Sequence, residues 1–171
     1  GDAIPDGTDL IVAAHTHARV SDEALARSRL RGIGYHPSLL PRHRGIAAVE
    51  WTILEGDAIA GGSVYHLAAG WDAGAVAAQD WCFVAKGETA RELWERALAP
   101  MGLALLTRVV RHAAEHRELP AHPQDERFAV VVTVASRPVR RSGDGTGVLE
   151  ATSVSTAAWL AGSGLLAQTW P

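Results

Sequence analysis

His36 and Asp72 are the residues of this chain whose types and settings could move a proton. His36 closes the apolar run GIGYH and is followed by PSLLPRHRG, so a histidine stands between a strand and a proline-bounded turn. Asp72 lies in AAGWDAG, where Gly70 and Gly74 allow a sharp turn and close approach to a ligand. Imidazole titrates near neutrality, and a neighbouring carboxylate raises its pKa and selects its tautomer. A His and an Asp on adjacent loops would therefore suit general acid–base work. The same residues also fit a plainer reading, a hydrogen-bonded structural histidine and a turn aspartate between glycines.

The elements that must position the pair follow from pattern. DLIVAA (9–14) is a short continuous apolar run and reads as a strand buried on both faces, as in a parallel sheet. Ser21 followed by Asp22 and Glu23 marks a helix start, with Gly32 ending the helix and GIGYH forming the next strand. IAAVEWTILEG reads as a helix closed by Gly56, and GGSVYHLAAG (61–70) and AVAAQDWCFV (75–84) as strands around WDAG. Thr89 and Glu92 form a capping box at the head of the longest helix, and Pro100 predicts a kink within it. In open α/β sheets ligands bind outside the carboxyl ends of strands, which is where this pattern puts both His36 and Asp72. The fold class expected is α/β, a Rossmann-like three-layer sandwich with a mostly parallel sheet.

Composition narrows the partners. A net charge of −3 argues against a general nucleic-acid binder. The single cysteine, Cys82, rules out an internal disulfide and suits a reducing compartment. No apolar run approaches the roughly 20 residues that span a bilayer. The expectation is a cytoplasmic protein without membrane or nucleic-acid partners, with a homo-oligomer open.

The letters themselves carry more. HPSLLPRHRG resembles the H-x-S-L-L-P-x-x-x-G signature of the folate-dependent formyltransferases. TDLIVAAHTHARVSDEALA is similar to that family's strand and following helix, and the stretch from AAVEWTILEG to GWDAGAVAAQ to its next helix, its G-D-x-x-x-G-x-[ST]-[VI] segment and its D-x-G loop. The likeness covers roughly residues 8–125. It implies transfer of a formyl group from 10-formyltetrahydrofolate, as co-substrate and without a metal, to a small-molecule amine. His36 would stabilise the oxyanion and Asp72 would help to remove the amine's proton. The pterin would lie against Ala14, His15, Thr16, His17, Ala18, Arg19 and Val20, and against Ala68, Ala69, Gly70 and Trp71. Ser38 to Pro41 would shape the turn beneath His36.

Two departures stand out. The family has an asparagine two positions before the histidine; here that position is Gly34, which offers no side-chain donor. Loss of such a donor typically costs about 100- to 1000-fold in rate, unless another group supplies it. His15 and His17 are candidates for that group, or simply line the folate loop; as metal ligands H-x-H has no third partner of recognisable spacing. The chain also begins near the fourth strand of the family's pattern, so the N-terminal part of the fold is expected to be missing. On this reading residues 1–128 are a partial catalytic domain and 129–171 an unassigned tail, lacking the basic barrel a tRNA acceptor would call for. Arg42, His43 and Arg44 could meet a glutamate tail or phosphate, or be merely solvated. Two further functions stay open: hydrolysis of formyltetrahydrofolate, and a folate-binding module without catalysis.

Overall fold

The computed structural model describes residues 4–14, 16 and 19–133. Strand β1 (Ile11–Ala14) leads to helix α1 (Asp22–Ala26), β2 (Gly32–His36), α2 (Ala48–Leu54), β3 (Ile59–His66) and β4 (Val76–Phe83). Helix α3 (Ala90–Leu93) passes through a wide π turn (Trp94–Leu98) into α4 (Ala99–His116). The helix starts form as their residues dictate. The Ser21 hydroxyl accepts from the amide of Ala24, and Thr89 and Glu92 make the reciprocal capping box. The π turn runs directly into Pro100, which has no amide hydrogen for the regular ladder, so the irregularity expected there is a widened turn.

The α/β layering stands, but the mostly parallel sheet does not. The strand order is β1-β2-β3-β4; only β1 and β2 run parallel, and β3 is antiparallel to both β2 and β4. The nine residues 67–75 joining β3 to β4 are too few for the helical crossover a parallel pair requires. Strand β1 is not buried on both faces either. It lies at a sheet edge among the described residues and alternates in burial, leaving Val12 43% exposed. Helix α1 ends at Ala26, well before Gly32, which is the first residue of β2.

Side chains alternate across the sheet, and that sorts core from site. One face sends Ile33, Tyr35 and Val64 against Met101, Leu105 and Val109 of α4. Tyr35 donates its hydroxyl to the carbonyl of Leu98 at 2.6 Å. Its ring fills the space where a Cβ at Gly62 or Gly102 would stand, so the helix comes close to the strand. Ala60, Leu93 and Leu98 extend the core beside α2 and α3. The opposite face carries Gly34, His36, Ser63 and Tyr65, with His36 abreast of Ser63 and Gly34 abreast of Tyr65.

Ser63 holds the turn that follows His36. Fully buried, its hydroxyl donates to the carbonyl of Ser38 at 2.6 Å and accepts from the amide of Leu40 at 3.1 Å and the Gln79 amide group at 2.8 Å. Residues after the expected boundary at 128 also return to this loop. Val132 is buried and donates its amide to the carbonyl of Arg44 at 2.7 Å, and the Arg44 amide bonds the Val130 carbonyl at 2.7 Å. The rest of the expected tail, 134–171, lies outside the described residues. Ser63→Ala strands the Leu40 amide and is expected to cost about 1–3 kcal/mol in urea unfolding; a loss below a few tenths would contradict this account.

Candidate functional site

His36 and Asp72 do meet, with Nδ1 of the imidazole 3.5 Å from Oδ2 of the carboxylate. They do so by a different route from the one the carboxyl-end rule supplies. Because β3 runs antiparallel to β2, its carboxyl end lies beside the start of β2: His66 pairs with Ile33, whereas His36 pairs with Ser63. The 67–75 loop must double back over the sheet face to carry Asp72 to His36. That reversal explains the D-x-G spacing. Asp72 takes a left-handed φ of 45°, and a Cβ at Gly74 would sit 1.8 Å from the carbonyl oxygen of His66.

Two donors fix the carboxylate, and a third residue braces its loop. Tyr65 donates its hydroxyl to Oδ1 at 2.6 Å, and the amide of Gly45 donates to Oδ2 at 2.7 Å. Gln124 donates its side-chain amide to the backbone carbonyls of Asp72 at 2.6 Å and Gly74 at 2.7 Å, bracing the loop from behind. Tyr65, Gly45 and Gln124 were not picked out by the sequence reading as site residues. Gly45 could have been, as the last letter of the motif. Tyr65 could have been found from the strand register, whereas nothing local marks Gln124.

The imidazole is buried, and its Nε2 lies 2.7 Å from the carbonyl oxygen of His43. A carbonyl only accepts, so the hydrogen is on Nε2 and the neutral ring presents an unprotonated Nδ1 to Asp72. The expected rise in pKa is reversed. Burial, which disfavours the charged ring, outweighs the nearby carboxylate and the His43 carbonyl and holds His36 below its ordinary value. Both ring nitrogens thus face internal groups, and the outward-reaching member of the pair is Asp72, whose side chain is 13% exposed.

The other candidates separate cleanly. Ala68, Ala69, Gly70 and Trp71 are exposed, and Trp71 next to Asp72 is 67% exposed. Among the described residues the backbones of Ala68 and Ala69 take no hydrogen-bond partner, so small side chains and open amides and carbonyls suit a flat heteroaromatic ring. Ala14 stands opposite Tyr35 in the parallel register, one residue from His36. The loop that follows β1 therefore starts beside the site. Thr16, Arg19 and Val20 are partly or fully exposed there, whereas His15, His17 and Ala18 lie outside the described residues.

The basic loop is spoken for internally. Arg42 donates to Asp57 at 3.0 and 2.9 Å and contacts Glu55, and Arg44 is buried against Gln124 and Glu126. Buried His43 lies between Thr52 and Glu55. The ligand atoms of His43, Glu55 and Asp57 come within 4.8 Å of one another, but the Arg42 cation already rests on both carboxylates.

Comparisons with known proteins bear on the family and the fold that hold this pair. Residues 5–110 match the formyl transferase family, and the chain belongs to it. Over 137 residues it is 36% identical to the cytosolic 10-formyltetrahydrofolate dehydrogenase of Homo sapiens, covering 75% of this chain and 15% of the human protein. A glycinamide ribonucleotide transformylase from Symbiobacterium toebii is similar in structure, with a TM-score of 0.61 and 29% identity over 68% of this chain and 57% of that one. HypX from Aquifex aeolicus, solved with tetrahydrofolic acid, shares the fold at a TM-score of 0.64 and 19% identity, covering 73% of this chain and 21% of HypX. This chain thus spans about a seventh of the human relative's length.

No helix of the described residues is long and apolar enough to cross a membrane. The burial of His36 has a thermodynamic consequence. The unfolded chain takes up a proton near the ordinary value of 6.5, the folded chain only at lower pH, so stability present above 6.5 is lost as pH falls below it. Denaturant titrations of His36→Gln are expected to show a shallower loss of stability below pH 6.5 than wild type. An identical slope would contradict the burial account.

Proposed function

We propose that this site removes the formyl group of 10-formyltetrahydrofolate and passes it to a nucleophile, with a small amine as the acceptor. The single observation that carries the reading is the Asp72 carboxylate beside a neutral imidazole whose free Nδ1 faces it. Each carboxylate oxygen accepts one internal hydrogen bond and keeps a lone pair free. Asp72 takes the proton that the attacking nitrogen sheds, and Nδ1 of His36 is placed to share it. Bound folate supplies the activated formyl carbon; Ala68–Trp71 and the loop after Ala14 hold its ring. The atoms balance as amine plus formyltetrahydrofolate giving formamide plus tetrahydrofolate.

Water as the nucleophile, giving formate, is the second reading. One observation favours it: the human relative is named for 10-formyltetrahydrofolate rather than for an amine. The cytosolic name of that relative supports a cytoplasmic setting. Residues 1–128 would then be the catalytic portion of the chain. Formyl release followed by absorbance, with and without a panel of small amines, separates the two. Asp72→Asn is expected to lower turnover about 10²- to 10⁴-fold. Amine-dependent turnover supports the transferase, amine-independent turnover the hydrolase, and an undiminished variant overturns both.

A further inference from the structure

The space in front of Gly34 is not empty. Strand pairing sets Tyr65 directly across from Gly34, and a Cβ built on Gly34 would stand 3.0 Å from Cε1 and 3.2 Å from Cζ of the Tyr65 ring. Cδ2 of Leu67 closes the same space at 3.1 Å. The absence of a side chain at 34 is therefore what lets an aromatic ring from the neighbouring strand lie across this part of the sheet. The ring also packs edge-on to His36, with centroids 6.4 Å apart. Its hydroxyl ends 2.6 Å from Oδ1 of Asp72.

We propose that Tyr65 is the positioning residue of this site: its ring occupies the volume left by Gly34, and its phenol O–H holds Asp72 in the orientation that faces His36. The inference rests on the proposed role of Asp72 and deepens it. A hydroxyl bound to Oδ1 and an amide bound to Oδ2 pin the carboxylate from both sides, so its rotation about the terminal bond is frozen before substrate arrives. In general such preorganisation acts on the chemical step and leaves ground-state binding alone. Without the phenol, Oδ1 has no protein donor among the described contacts and the carboxylate swings on the Gly45 amide.

Kinetics of the full chain on 10-formyltetrahydrofolate test this with four proteins: wild type, Tyr65→Phe, Gly34→Ala and the double variant. Tyr65→Phe keeps the ring and removes only the hydroxyl. It is expected to lower kcat about tenfold while KM stays within about twofold, with a melting temperature lowered by a few degrees for the stranded Oδ1. Gly34→Ala displaces the ring and lowers kcat as well, but in the Tyr65→Phe background it costs little more, because both changes act on one contact. An unchanged kcat in Tyr65→Phe, a change confined to KM, or additive effects in the double variant would each overturn the proposal.

A second measurement reads the contact without turnover. The chain has two tyrosines, so labelled Cζ resonances resolve Tyr65 from Tyr35. Burial and the Asp72 carboxylate together keep the Tyr65 phenol protonated far above its ordinary value of 10.0, so Asp72→Asn is expected to lower its titration point while burial still holds it above that value. Besides Asp72, the titratable ring that packs against Tyr65 among the described residues is the neutral imidazole of His36. A titration point indifferent to Asp72→Asn means that the hydroxyl does not hold the carboxylate, and the proposal falls. Turnover that survives Asp72→Asn defeats the base assignment itself, whereas turnover lost in Asp72→Asn but kept in Tyr65→Phe defeats only the role of Tyr65.

Discussion

Everything chemical in this molecule depends on the left-handed turn at Asp72 and on what it brings together. The turn lets a nine-residue loop reverse over the sheet, and the carboxylate it delivers accepts from two other parts of the chain and faces a third. Tyr65 comes from the strand beneath, Gly45 from the end of the turn after His36, and His36 from the end of β2. Among the described residues, hydrogen-bond donors rather than a formal cation hold this carboxylate.

The supporting shell shows what the arginines of the loop hold. Arg44 lies buried, and its guanidinium holds the oxygen of Gln124 while the nitrogen of Gln124 holds the backbone carbonyls of Asp72 and Gly74. Arg42 ties the same turn to Asp57. A charged run that looks solvated in one dimension is thus a brace in three. Buried guanidinium requires such satisfied pairing, because an unpartnered charge in this position would be costly.

The exchange between Gly34 and Tyr65 illustrates how one constraint moves another. A side chain at 34 and an aromatic ring at 65 compete for the same volume across two paired strands. With glycine at 34 the ring lies flat and its hydroxyl reaches the carboxylate. The ring of one strand thus fills the space its neighbour leaves open, and its phenol ends on the carboxylate.

Local structure was largely legible in the residues alone. Ser21, the Thr89–Glu92 box, Gly56 and the apolar periods are short-range signals, and the helices and strands begin within about two residues of where those signals place them. His36 and Asp72 were legible for a similar reason, since the chemistry of the pair and its flanking turn residues are written within a few positions. The partners were not. The short link to β4 already demands an antiparallel pair, but the course of β3 against β2 and the doubled-back loop cannot be read from apolar runs that look alike in either sense. The balance at His36 was equally hidden, because burial is a property of the assembled sheet, and there it outweighs the carboxylate that sequence reasoning expected to dominate. Sequence determined which residues can do chemistry; only the tertiary structure decided which atoms face them, because register and burial are set by contacts between segments dozens of residues apart.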